Sequence, residues 1–227
     1  MAQFEIKGIH LDIPDAHLTD GLRREFERGI YEWGEVRALT NVLRAGDRLL
    51  DLGSAIGFVA CNAAKILEPH NIICVEANPD LIPVLEANLA ANGVRRARSV
   101  QGAVVPDAFD GEEVSFELRQ AFYSSRVVGE DVKEASRIVT VPALKLSDLL
   151  EAFAPDVVTM DLEGAEAALA MQHWPGKVRA VIMEIHTGVY SLSTVEAIFA
   201  GMSKNGFAFQ PKGSRGDVVV FQRVGTE

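Results

Sequence analysis

Short unbroken apolar runs alternate with helix-like patterns along most of this sequence, and that alternation leaves few folds open. The runs are Asp47–Leu52, Asn71–Glu76, Arg98–Val105, Asp156–Asp161 and Val178–Ile185. Between them, apolar residues recur at helical spacing over Gly57–Leu67, from Pro79 to about Asn92, from about Ala165 to Gln172, and from Ser193 to Lys204. Asn78 is placed to cap the second helix, Pro79 to open it and Gly93 to end it. Strands with no polar alternation are buried on both faces, so they belong to a parallel sheet covered by helices on each side. The chain closes with Phe207–Gln210 and Asp217–Gln222 around Lys212-Gly213-Ser214-Arg215-Gly216, the signature of an antiparallel hairpin. The expected fold is therefore α/β: a doubly wound, Rossmann-like sheet of seven mostly parallel strands, with an antiparallel C-terminal strand.

A chain of 227 residues without repeats or linker-like tracts is read as one domain, residues 1–227. Residues 1–45 form an N-terminal cap or extension. Residues from about 108 to 140 form an insertion, where Val114–Leu118 and Phe122–Val128 alternate like the arms of a β-hairpin. The net charge of −10 repels a phosphate backbone, so nucleic acid is not an expected partner. No apolar run reaches the roughly 18 residues of a membrane helix, and the acidic N-terminus does not resemble a signal peptide. A cytoplasmic location without membrane contact is expected, and edge strands leave a homodimer open. Cys61 and Cys74 fall in core elements, without a partner at metal spacing, and read as reduced and structural.

The strongest motif is Asp51-Leu52-Gly53-Ser54-Ala55-Ile56-Gly57, between the first core strand and its helix. Ligands of open α/β sheets bind at the carboxyl ends of the strands, where this loop lies. A dinucleotide site needs Gly-x-Gly-x-x-Gly facing a pyrophosphate. Here Gly-x-x-x-Gly follows an acid, which suits a cofactor bearing an ammonium and a sulfonium. Glu76 ends the second strand, nineteen residues after Gly57, where an acid accepts hydrogen bonds from ribose hydroxyls. Together they point to S-adenosylmethionine, with S-adenosylhomocysteine as product. The expected cofactor-binding residues are Asp51, Gly53, Ser54, Gly57, Glu76, Ala77, Gly102, Ala103 and Asp161. Gln101-Gly102-Ala103 marks either the adenine edge or a plain strand end.

Several segments resemble the FkbM-type methyltransferases. Asp51–Phe58 is similar to their Asp-x-Gly-Ala-Asn-Ile-Gly opening, and Val75-Glu76-Ala77-Asn78-Pro79 to their second-strand end. Asp161-Leu162-Glu163-Gly164-Ala165-Glu166 resembles their Asp-x-Glu-Gly-x-Glu signature, and Met183-Glu184-Ile185-His186 their Glu-Ile-His. The resemblance covers residues from about 30 to 190. Ser54-Ala55 stands where the family has Ala-Asn, Met160 where isoleucine is common, and Val158 where lysine is common. The resemblance implies methyl transfer, typically to a hydroxyl of a sugar or natural product.

Methyl transfer from a sulfonium needs a positioned acceptor, exclusion of water and, for a hydroxyl, a base. The fourth and fifth strands end in Asp161, Glu163, Glu184 and His186, charges that are costly to gather without a use. His186 is the expected general base, oriented by Asp161 or Glu184, with Glu163 toward the substrate. Alternatively Asp161, Glu163 and Glu184 hold magnesium or calcium, although no metal is required by the sequence. Glu166 reads better as a helix-start acid. Tyr123, Ser124, Ser125 and Arg126 either line an acceptor pocket or form a solvated hairpin face. Glu32 and Glu35 either meet the cofactor's amino group or open a helix beside Tyr31 and Trp33. The function expected is O-methylation of a small molecule, sugar or natural product. The alternatives are N-methylation of a small amine, or non-catalytic binding of S-adenosylmethionine or a nucleotide.

Overall fold

The computed structural model describes residues 1–119, 125–127 and 137–226. Its strands are β1 (Ala2–Ile6), β2 (Ile9–Ile13), β3 (Leu49–Leu52), β4 (Ile72–Glu76), β5 (Arg98–Gln101), β6 (Ala103–Val105), β7 (Glu113–Leu118), β8 (Arg126–Val127), β9 (Arg137–Lys145), β10 (Val157–Met160), β11 (Ala180–Glu184), β12 (Phe207–Arg215) and β13 (Val218–Arg223). Its α-helices are α1 (Asp20–Arg28), α2 (Trp33–Val42), α3 (Phe58–Ala63), α4 (Ile82–Ala91), α5 (Leu146–Phe153), α6 (Glu166–Ala170) and α7 (Leu192–Lys204).

The main sheet has seven strands in the order β12-β13-β11-β10-β3-β4-β5. β5, β4, β3, β10 and β11 run parallel, and β13 pairs antiparallel with both β11 and β12. The order reverses between β3 and β10, which opens a crevice at their carboxyl ends. Successive strand residues feed opposite cores, as a pleat of period two requires. Leu49, Ile72, Val157 and Ile182 pack with α2, α3 and α4. Leu50, Ile73, Val158 and Met183 pack with α5, α6 and α7. The expected fold class and closing hairpin are both observed. Among the described residues no helix is long and apolar enough to cross a membrane.

Four details depart from the sequence reading. The run Arg98–Val105 is two strands, because Gly102 turns the chain out of the main sheet: β5 pairs with β4, whereas β6 pairs with β9. A Cβ on Gly102 would lie 2.7 Å from Leu144 Cδ1 and 2.9 Å from Pro142 O, so only glycine permits this crossing. The insertion is larger than a hairpin. β7 pairs with β8 and also with β9, so a four-stranded sheet, β6-β9-β7-β8, stands over the cofactor side.

The N-terminal extension begins with a β1–β2 hairpin turned by Lys7 and Gly8, both at positive φ. Asn88 of α4 and Asn92, just after its end, hydrogen-bond the backbone of β2 at Asp12 and His10. Finally, α4 starts at Ile82 with Pro83 in its first turn, later than expected. The Asn78 side chain instead accepts from Asp80 N in a preceding turn. Cys61 and Cys74 are buried free thiols, as expected.

Candidate active site

The carboxyl ends of β3, β4 and β10 converge with Glu32, just before α2, and with the insertion sheet on one open cleft of about 610 Å³. β3 delivers Asp51 and then a tight turn, in which Gly53 N and Ser54 N both donate to Val75 O of β4. Gly53 has φ +85°, and a Cβ there would collide with the carbonyl oxygen of Asp161. Glycine at this position lets the β3 and β10 loops touch.

Glu76 closes the turn from the other side. Its carboxylate accepts from Ala55 N at 2.8 Å and Asn78 N at 2.7 Å, and burial pushes its pKa up to about 7. Glu76, Ala77, Gly102 and Ala103 all line the cleft, with Val104, Phe116 and Val127 supplying apolar wall. Ser54 and Gly57 work from behind the loop. The Ser54 hydroxyl donates to Asp51 O, and Gly57 opens α3 against Leu85. Asp51 itself lines a narrow passage adjoining the cleft. It accepts from the Thr159 hydroxyl, and burial raises its pKa to about 6.

At the reacting end the structure brings Asp161, Glu163 and His186 together. His186 Nε2 lies 3.0 Å from Asp161 Oδ1 and 3.3 Å from Glu166 Oε1, and Nδ1 lies 3.7 Å from Glu163 Oε2. The Asp161 contact is an ion pair without good hydrogen-bond direction, since both atoms otherwise lack a partner. Burial works to lower the His186 pKa, but the surrounding carboxylates of Asp161 and Glu166 overcome it and hold the ring near 11. These carboxylates favour the protonated ring, whereas a general base or a metal ligand needs the neutral one.

Burial pushes Glu163 up to about 7 and Asp161 to about 6. Glu184 does not orient His186. It shares a hydrogen bond with Glu35, and burial with that contact raises it to about 8. The three groups placed to hold a metal ion are accordingly Asp161, Glu163 and His186, rather than the all-carboxylate set with Glu184.

Glu166 does more than start α6. Its carboxylate accepts from Leu162 N (2.7 Å), Gly164 N (3.0 Å) and the Tyr190 hydroxyl, and it pairs with His186. Burial opposes its charge, yet the His186 and Tyr190 contacts hold its pKa below the usual carboxylate value. Tyr190, four residues beyond His186, is a site residue that sequence reasoning missed. The period-of-four spacing was the available signal.

Another signal lies in the backbone. Of the five described non-glycine residues at positive φ, Glu32, Ala55 and Glu163 all line this cleft, and such strain concentrates at functional sites. In the insertion, Ser125 lines the cleft, and its hydroxyl accepts from Arg119 N. Tyr123 and Ser124 lie outside the described residues, and for Arg126 only the backbone, in β8, is described.

The cleft fits an adenosyl sulfonium. One end is apolar, Glu76 stands between, and the other end is acidic, with no lysine or arginine among the described lining residues.

The family described as the methyltransferase FkbM domain matches residues 51–209. Ribosomal protein L11 methyltransferase of Thermus thermophilus is 38% identical over 69 residues, which are 30% of this chain and 26% of that protein. The matched stretch thus spans about a quarter of that relative. Precorrin-6y C5,15-methyltransferase of Geobacter metallireducens superposes with a TM-score of 0.46 at 13% identity over 94% of each chain. Fibrillarin of Aeropyrum pernix with natively bound S-adenosyl-L-methionine does so with a TM-score of 0.43 at 14% identity, over 83% of this chain and 75% of that one.

Proposed function

The chain belongs to the methyltransferase FkbM domain family, and from that premise we propose that it methylates a hydroxyl of a small molecule, sugar or natural product. It is an S-adenosylmethionine-dependent methyltransferase. When bound, the cofactor supplies a methyl group on a sulfonium sulfur that departs as a neutral thioether. Glu76 would hold the ribose hydroxyls. Ala77, Gly102 and Ala103 would hold the adenine. The Gly53–Ala55 turn, with Asp51 and Asp161, would hold the amino-acid portion.

The observation that carries the reading is the gathering of ionisable groups where the cleft meets the ends of β10 and β11. Glu163, with a pKa near 7, is in the right state to take the acceptor's proton at neutral pH. His186, held as a cation between Asp161 and Glu166, fixes those carboxylates rather than serving as the base. Glu166, tied to Leu162 N and Gly164 N, keeps the Glu163 loop in place. The net charge of −10 disfavours a nucleic-acid acceptor. Methylation of an amine is the second reading, favoured by the acidic lining at this end of the cleft.

The test is calorimetric titration with S-adenosylmethionine and S-adenosylhomocysteine, beside Glu76→Ala, followed by an S-adenosylhomocysteine-release screen over hydroxyl, amine, peptide and RNA acceptors. Cofactor binding that the variant loses, with turnover on hydroxyl acceptors that Glu163→Gln abolishes, supports the proposal. Turnover confined to peptide or RNA refutes the small-molecule acceptor. Absence of cofactor binding by folded protein refutes the whole reading.

A further inference from the structure

Beside the cofactor cleft lies a second hollow of about 860 Å³. The two are continuous, for Glu32, Asp161 and Glu163 line both. The hollow adds Glu25, Glu35, Glu184 and Asp217, and no lysine or arginine stands among its described lining residues. These carboxylates come from α1, the start of α2, the ends of β10 and β11, and the turn before β13. They are therefore not the solvated face of a single helix. Glu25 and Asp217 stand exposed at the rim of the hollow, whereas Glu32, Asp161, Glu163 and Glu184 are half-buried and Glu35 is buried, and like charges gathered at that depth from separate segments are unfavourable without a counter-charge.

Two buried atoms point the same way. Tyr31 lines the hollow and is only 3% exposed, and its hydroxyl has no well-formed hydrogen bond although Glu32 lies beside it. Asp51 is equally buried, and its Oδ2 has no partner where it lines the passage shared with Glu35 and Glu184. The Asp51 oxygen is an acceptor without a donor, and the Tyr31 hydroxyl can both donate and accept.

We infer that the methyl acceptor is a cation, an ammonium- or guanidinium-bearing molecule whose charged group sits in this hollow while its reacting group faces the cofactor cleft. The inference rests on the methyltransferase reading above. The cofactor's own ammonium and sulfonium, offset by its carboxylate, leave most of these acids uncompensated. Glu35 of α2 and Glu184 of β11 both line the hollow, with no lysine or arginine among its described lining residues to face them. A metal at Asp161, Glu163 and His186 would satisfy only one end, leaving Glu25, Glu35, Asp217 and the neutral Tyr31 phenol unused.

The experiment uses the full chain loaded with S-adenosylhomocysteine. Its affinity for two matched pairs is measured by saturation-transfer NMR: glucosamine against N-acetylglucosamine, and ethanolamine against N-acetylethanolamine. The amine of each pair should bind roughly tenfold more tightly, and raising NaCl from about 0.05 to about 0.5 M should weaken it several-fold. The double variant Glu184→Gln, Asp217→Asn should erase most of that preference while S-adenosylhomocysteine still binds. The salt series on the unaltered protein keeps the test decisive even if the double variant misfolds. Equal binding within each pair, or no amine binding up to about 50 mM, would overturn the inference, since a desolvated charge pair is worth far more than that limit. Mn²⁺ binding in place of the amines would also overturn it, in favour of a metal. Failure of S-adenosylhomocysteine itself to bind would instead sink the underlying methyltransferase reading.

Discussion

Replacing Glu76 by glutamine separates two jobs that the structure gives one carboxylate. Both of its oxygens accept backbone N–H groups, from Ala55 and Asn78. Glutamine can accept only one of them and turns an N–H toward the other. The lost charge-assisted bond and the stranded buried donor together cost about 2–3 kcal/mol.

The pH dependence sharpens the expectation. Burial raises the folded-state pKa of Glu76 to about 7, above the ordinary unfolded value of about 4.3. An acid whose folded pKa is raised contributes stability that is present below the unfolded pKa and is lost as pH rises through the folded one. At about 1.4 kcal/mol per unit, ionising Glu76 in place removes on the order of 4 kcal/mol from the cofactor-free protein between about pH 4.3 and pH 7. Glutamine has no such transition. The stability gap between the two proteins should therefore narrow as pH rises through this window.

Urea unfolding followed by the fluorescence of the buried Trp174, at several pH values between 4 and 8 and without cofactor, measures the gap. A gap independent of pH would refute the burial argument. Calorimetry at pH 8 addresses the other job, where S-adenosylmethionine should bind the variant roughly 10- to 100-fold more weakly, the value of one charged hydrogen bond. Unchanged affinity would remove Glu76 from the ribose site.

Three further outcomes are expected. Gly53→Ala places a methyl group against Asp161 O at φ +85° and should destabilise the fold by about 3 kcal/mol or more; a cofactor affinity and melting temperature like those of the parent would contradict the contact between the β3 and β10 loops. Tyr190→Phe removes one hydrogen bond to Glu166, worth about 1 kcal/mol; kcat should fall several-fold with the cofactor KM nearly unchanged, and a change confined to KM would remove Tyr190 as a positioning residue. S-adenosylmethionine should bind more tightly than the neutral-sulfur product at pH 8, with the difference shrinking below about pH 6 as Glu163 and then Asp161 take up protons; calorimetry showing a constant ratio would contradict charge recognition of the sulfonium.

What the sequence disclosed follows from how local the determining physics is. The strand β3, its glycine turn and Glu76 were legible because a buried parallel strand, a backbone crossing and a strand-end acid each leave a compact pattern. The grouping of Asp161, Glu163 and His186 was legible once the strands were ordered, since parallel neighbours end side by side.

The split at Gly102 was not. It depends on Leu144 and Pro142 approaching from β9, forty residues away, and a continuous apolar run gives no hint of a change of sheet. The β1–β2 hairpin was overlooked although Ile9, Leu11 and Ile13 alternate, because its attachment depends on Asn88 of a distant helix and Asn92 just after it. The state of His186 was hidden for the same reason. An isolated histidine near a strand end suggests a base, but its charge is set by Asp161 and by Glu166, which the sequence offered as a helix-start acid.

These findings bear on why a methyltransferase site is so acidic. A sulfonium donor is cationic before transfer and neutral afterward, so carboxylates around it favour the charged donor over the spent product. The same carboxylates repel one another, and burial raises Asp51, Glu76, Asp161 and Glu163 toward neutral pH. Within the chain, His186 eases that conflict by pairing with Asp161 and Glu166. A cationic donor would favour the ionised carboxylates in the same way, so on the reading proposed above donor binding would also strengthen the base that transfer to a hydroxyl needs.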